Sequence, residues 1–397
     1  MRMGREVRAG VPGVAPVSAP IDGWCAPGFE AVRRAFEANF ATEGEVGAAV
    51  HAVVRGEVVV DLVGGWADEA RTRPWRHDTV VDMYSVGKGL LSVLALRLVD
   101  EGRLMLERPI AEVWPEFAQG GKAGATLTHA LTHRAGVPAI REVLTDDDLF
   151  DWGRMTSAIA ATEAWWVPGE RLAYHTNSFG HLVGEVVHRA SGQMPGERLR
   201  ALAGPLDADV WFGMPVEEQH RCADVLWAPP RPLPAIETFD GLEGDLLMNV
   251  LAHVNPPGYS SIGLVNTPAW RSLPLGSTSG HGSASGIARI YAALLEPGRL
   301  VSPELLALAT SPVASGHCPI LGEEITYGLG FQPTTPRRPL GPNPRSFGHF
   351  GTGGSLGFAD PDEGLAFGYV MNHVIPRWQS TRNRALVDAL YASLSGS

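Results

Sequence analysis

Ser85 and Lys88 stand three residues apart in Ser85-Val86-Gly87-Lys88, a spacing that puts a hydroxyl and an amine on one face of a helix. A serine hydroxyl is a weak nucleophile at neutral pH, so an acyl-transfer site must hold a base within hydrogen-bond reach of it. Lysine can serve once burial disfavours its charged form. The residues that follow, Gly89-Leu90-Leu91-Ser92-Val93-Leu94, are apolar enough to bury it. A helix start adds unpaired N–H groups beside a developing oxyanion. Alone, the pattern also describes a helix-start serine with an exposed lysine one turn on, so companion groups decide its meaning.

Two companions follow in chain order. Tyr174 lies in Pro168-Gly169-Glu170-Arg171-Leu172-Ala173-Tyr174-His175-Thr176-Asn177, a turn-rich approach to an apolar stretch from Ser178 to Ala190. From a loop there its phenol could share proton transfer with Lys88; the structural alternative is an aromatic packed under the loop. The second companion is Gly348-His349-Phe350-Gly351-Thr352-Gly353-Gly354-Ser355, flanked by strand candidates. Its glycines admit close backbone approach, and the N–H of Thr352 with that of Ser85 would form a two-donor oxyanion hole. Otherwise it is a glycine-rich hairpin. Gly353-Gly354-Ser355-Leu356-Gly357 also fits the GxSxG nucleophile elbow, with Asp360 or Asp362 and His373 following. That reading fails because Leu356 to Ala359 reads as strand, where an elbow needs strand, turn and helix.

These groups need elements to hold them. Phe29, Val32, Phe36 and Phe40 recur at helical spacing from Pro27 to Thr42. Val46 to Val54 and Glu57 to Val63 read as two strands joined by a tight turn at Arg55-Gly56. A buried helix is expected from Asp82 to Glu101, with Ser85 in its first turn. Residues 103–274 alternate short helical stretches with loops such as Ala228-Pro229-Pro230-Arg231-Pro232. Beyond them a helix is expected from Gly282 to Leu295. Strands follow at Phe347 to Gly351, Leu356 to Ala359 and Leu365 to Met371, then a helix from Trp378 to Leu394. The pattern predicts an α+β fold: one antiparallel sheet and its helices built from 27–102 and 275–397, with 103–274 inserted as a helical lobe and the site in the cleft between them. Residues 1–26 read as a loose leader.

Composition narrows the class. The 397 residues are 45% apolar and 19% charged, with 47 glycines and 31 prolines, which fits a globular enzyme rich in turns. A net charge of −11 without like-charge blocks argues against nucleic acid and anionic membrane as partners. Cys25, Cys222 and Cys318 are odd in number and far apart, so no disulfide framework is expected and the expected compartment is the cytoplasm. No CxxC, CxxH or HExxH spacing points to a metal. No apolar run approaches the roughly 20 residues of a bilayer span.

Together the three elements, with Leu131-Thr132-His133-Arg134-Ala135-Gly136 and Gly280-His281-Gly282-Ser283-Ala284, resemble the serine β-lactamase and penicillin-binding-protein superfamily from about Pro27 to Leu394. The resemblance is nearest to the class C β-lactamase-like branch, with its family VIII carboxylesterases, D-aminopeptidases, amide hydrolases and related acyltransferases. It implies a β-lactamase/DD-peptidase-like fold, Ser85 as acylated nucleophile, Lys88 and Tyr174 as the proton-transfer pair, and no metal or organic cofactor. It also implies His349-Phe350-Gly351 in place of the Lys-Thr-Gly strand motif, with Thr176 and Asn177 on the facing loop as further substrate contacts. Two departures bear on substrate. Thr176 stands where the Tyr-x-Asn motif has asparagine, which comes one residue later as Asn177, and His349 offers a weaker, pH-dependent charge than a strand lysine. The expectation is therefore a small ester or amide and little β-lactam hydrolysis. Hydrolysis and transfer to an amine or alcohol acceptor share the same acyl-enzyme and stay open at this stage, as do a catalytically silent binding protein on the same fold and a homo-oligomer.

Overall fold

The structure is a computed structural model and describes residues 19–227, 239, 241–375 and 380–396. Its main sheet takes strands from both ends of the sequence. They are β1 (Ile21–Cys25), β2 (Gly47–Val54), β3 (Glu57–Gly65), β4 (Gln332–Pro333), β5 (Phe347–Phe350), β6 (Leu356–Asp360) and β7 (Leu365–Met371). The spatial order is β1-β3-β2-β7-β6-β5-β4, with every neighbouring pair antiparallel. The two halves join where β2 pairs β7, from Val54 opposite Leu365 to Ala48 opposite Met371. All seven residues of β7 are buried, as befits a central strand covered on both faces. The β2–β3 turn has Arg55 and Gly56 both at positive φ, 52° and 86°, the backbone of a tight hairpin that follows strand twist.

Helices cover the two faces. Successive side chains of β7 alternate sides. At Gly368 the strand meets the backbone of α4 (Ala284–Leu295), where an added Cβ would fall 2.1 Å from the Ala284 carbonyl oxygen. On the opposite face the Tyr369 hydroxyl donates to Glu45, which also binds Arg382 of α5 (Thr381–Ser395). There α5 packs with α1 (Glu30–Thr42), whose Val32 and Phe36 are buried. On the α4 side, α2 (Val86–Asp100) runs against β5 and against α3 (Ser178–Ser191), with which the middle segment begins its packing. That segment is built mainly of short helices, among them Trp152–Ala161, Pro195–Ala203 and Gly244–Val254. No helix among the described residues is long and apolar enough to cross a membrane.

The structure departs from the sequence reading in four places. The helix begins at Val86 instead of Asp82: Val81–Asp82 is a short strand paired with His281–Gly282, and Tyr84 at φ 50° ends it. Part of the expected leader is β1, which pairs residue for residue with β3; residues 1–18 lie outside the described residues. A hairpin, Ala314–Cys318 with Glu323–Tyr327, stands where no strands were expected. The final helix starts at Thr381, where the Ser380 side chain accepts from the Asn383 N–H; Trp378 and the loop 228–232 lie outside the described residues.

Candidate active site

Ser85 is the N-cap residue of α2, yet its hydroxyl makes no capping bond. A serine there ordinarily accepts from an N–H of the first turn. Instead the Ser85 Oγ lies 2.9 Å from the Lys88 Nζ. Lys88 is fully buried, and two backbone carbonyls take its N–H groups, Thr176 O at 2.7 Å and Ser277 O at 3.0 Å. A neutral amine has two hydrogens and one lone pair. With both hydrogens on carbonyls, the lone pair is left for the Ser85 hydroxyl. Burial drives the Lys88 pKa well below the usual lysine value, the form a base requires.

The Ser277 carbonyl reaches Lys88 because Gly87 has no side chain. A Cβ there would meet the Gly276 carbonyl oxygen at 2.3 Å, so the segment 276–278 lies directly on the first turn of α2. Tyr174 comes in from a loop, and its ring centroid is 4.9 Å from the Lys88 Nζ. Burial raises its phenol pKa, while the adjacent Ser85 hydroxyl opposes the shift. The Tyr174 N–H bonds the buried Cys318 Sγ at 3.2 Å, and its ring lies tilted against His133, 4.7 Å between centroids.

A cavity of about 300 Å³ opens over these groups, lined by Ser85, Tyr174, Thr176, Asn177, Phe350, Gly351 and Thr352 together with Tyr84, Trp227 and Arg338. No hydrogen bond among the described residues uses the N–H of Ser85 or of Thr352. Both residues line the cavity.

This geometry has relatives. A family model described as Beta-lactamase matches residues 32–391. The chain belongs to the β-lactamase family. The esterase/beta-lactamase LipL of Mycobacterium tuberculosis is 31% identical over 364 residues, covering 88% of this chain and 82% of LipL. The crystal structure of a family VIII carboxylesterase superposes with a TM-score of 0.86 at 35% identity, covering 94% of this chain and 100% of that one. A penicillin-binding protein homolog from Caulobacter crescentus gives 0.85 at 36% identity, with the same coverage. The protein is thus of the esterase-like serine hydrolase type.

Within this β-lactamase-family site one residue is not where the sequence put it. His349 was expected to offer a substrate-facing positive charge, but it does not line the cavity. It is fully buried beside Gly89 of α2 and the Tyr174 and Tyr327 rings, its Nδ1 2.7 Å from the Phe350 carbonyl oxygen. Desolvation above all brings its pKa down to about 3, which favours the neutral imidazole over a substrate-binding cation. Asn177 reaches the cavity, but its amide nitrogen is bound to the Ala252 carbonyl at 2.8 Å and the Ser260 hydroxyl at 3.0 Å. Thr176 contributes its carbonyl to Lys88 as well as cavity wall. His133, His175 and His281 are buried and hydrogen-bonded to backbone.

Sequence reasoning missed the Ser277 carbonyl, Tyr84 and Arg338. A backbone acceptor leaves no trace in residue type, although the run Gly276-Ser277-Thr278-Ser279-Gly280 signals close backbone packing. Arg338 is buried and ion-paired with Glu323, a pairing made only in the folded chain.

Proposed function

We propose that this protein is a carboxylesterase that forms an acyl-enzyme on Ser85 with small esters of apolar carboxylic acids and releases the acid to water. The observation that carries this reading is the buried Lys88 nitrogen, 2.9 Å from the Ser85 hydroxyl and within hydrogen-bond distance of the Thr176 and Ser277 carbonyls. Ser85 Oγ attacks the ester carbonyl and its proton passes to Lys88. The ammonium so formed keeps its two carbonyl acceptors and lies over the Tyr174 ring. The N–H groups of Ser85 and Thr352 receive the oxyanion. Tyr174 passes a proton to the departing alkoxide and takes up the one Lys88 received from Ser85, which restores the neutral amine. The amine then accepts a proton from the water that attacks the acyl-enzyme, and that proton returns to the Ser85 oxygen as the acid leaves.

Support for an apolar acyl group comes from the walls, where Tyr84, Trp227, Ile262, Leu321 and Phe350 contribute apolar surface. Support for an uncharged substrate comes from His349, which burial holds in its neutral form, so that it supplies no cation on the strand. Carboxylate-bearing β-lactams are accordingly poor substrates in this reading.

Intact mass spectrometry after mixing with p-nitrophenyl butyrate tests the proposal: a butyryl adduct on Ser85 is expected in the native protein and none in Ser85→Ala. An unacylated Ser85 during turnover would sink it. Tyr174→Phe is expected to slow acylation by about 10²-fold for alkyl esters. The loss should be much smaller for p-nitrophenyl esters, whose leaving group needs no proton; an equal loss for both would remove Tyr174 from leaving-group protonation.

A further inference from the structure

The two N–H donors of the oxyanion site come from distant parts of the sequence, Ser85 at the start of α2 and Thr352 in the turn between β5 and β6. A useful oxyanion hole needs both donors fixed to within a few tenths of an ångström. We infer that Ser355, Arg382 and Asn383 are positioning residues that lock the Thr352 turn to the Ser85 turn. The inference rests on the acyl-enzyme reading of Ser85.

Ser355 is the cross-tie. Its hydroxyl donates to the Met83 carbonyl at 2.9 Å, two residues before the nucleophile, and its own carbonyl accepts from the Gly351 N–H at 2.8 Å. The two segments lie so close that a Cβ on Gly351 would meet the Ser355 Oγ at 2.1 Å and the Met83 carbonyl oxygen at 2.6 Å. A single residue, through its carbonyl and its hydroxyl, therefore joins the backbone next to one donor to the backbone two residues ahead of the other.

Arg382 and Asn383 hold the same turn from behind. Gly353 and Gly354 have φ of 82° and 112°, a left-handed course with its carbonyls directed at α5. The Arg382 Nη2 donates to the Gly353 carbonyl at 2.9 Å, and the Asn383 Nδ2 donates to the Gly354 carbonyl at 2.9 Å. Arg382 is itself fixed: its Nη1 meets the Glu45 carboxylate at 2.8 Å, and Glu45 also accepts from the Tyr369 hydroxyl on the central strand. The three side chains are buried, and none lines the cavity. They act on the donors and not on substrate.

Ser355→Ala removes one hydroxyl without adding bulk, and Asn383→Ala removes one amide from the other side of the turn. For each variant, acylation by p-nitrophenyl butyrate would be followed in a stopped-flow burst, and the acyl carbonyl stretch of the Ser85 ester by infrared difference with a 13C=O label. Loosening one donor without deleting it should slow acylation by about 10-fold with little change in the apparent binding of the ester. The acyl carbonyl band should move to higher wavenumber, because a less polarised C=O is stiffer. A residue that only supported the fold would lower stability and leave that band in place. Native acylation rate and an unshifted band in both variants, with Ser85 still acylated, would overturn this inference alone. Absence of a Ser85 adduct in the native protein would overturn the acyl-enzyme reading, and this inference with it.

Discussion

Lys88→Met is expected to lower the rate constant for acylation by an aryl ester by about 10⁴-fold while leaving the protein folded and no less stable. Methionine has nearly the length of the lysine stem and no polar head, so it fits the same buried track. What is lost is the base. The Thr176 and Ser277 carbonyls lose a donor, a cost offset by no longer burying an amine that strongly favours water. Stopped-flow burst kinetics give the rate, and urea unfolding gives the stability. A variant retaining a tenth of native acylation would exclude Lys88 as the base.

The pH dependence of the native protein follows with a definite sign. Unfolded, a lysine holds its proton up to about pH 10.5, whereas in the fold the Lys88 pKa lies well below that because of burial. Between the two values the unfolded chain binds the extra proton, so stability rises with pH across that window. Lys88→Met should remove this contribution to the slope. Acylation needs the neutral amine, so kcat/KM should climb with pH along a limb set by the lowered Lys88 value and then level off. A rising limb centred at the ordinary lysine value would show that the amine is solvated during catalysis.

The second large effect is on stability. Glu45→Ala is expected to cost about 3–5 kcal/mol, because it leaves the Arg382 guanidinium buried without its carboxylate. The side chains are 0% and 1% exposed, so water cannot take over. Joint replacement, Glu45→Leu with Arg382→Met, should recover most of that stability, since no lone charge then stays buried. It should not recover acylation, because the Gly353 carbonyl has lost its donor. Urea midpoints of the single and double variants separate the two effects; a double variant as unstable as Glu45→Ala would argue against the buried-charge explanation.

Much of the site was legible because its grammar is local. Ser85 and Lys88 are one helical turn apart, and the apolar residues after them announce burial. The glycines at 351, 353 and 354 mark a tight turn with close backbone approach. The valine-rich hairpin and β7 stand out for the same short-range reason. What escaped was decided at long range. Asp82 reads as helix, but His281 recruits it into a strand and Tyr84 takes a left-handed conformation. His349 reads as a potential cation until Tyr174, Tyr327 and α2 close around it. The strand Ile21–Cys25 lies in a stretch too rich in glycine and proline to signal pairing, and only β3 gives it a partner.

The strand order carries a consequence for how the protein comes to exist. On a ribosome β2 and β3 emerge early, but the partner that completes β2, the strand Leu365–Met371, follows roughly 300 residues later. At ordinary speeds of synthesis that interval lasts on the order of 15–60 s. Throughout it, the Gly47–Val54 segment presents an apolar strand edge of the kind that other nascent chains can pair with. The Ser85–Lys88 pair is thus translated long before the sheet that supports it can close, and a chain that stalls before residue 365 has the nucleophile but no framework to aim it.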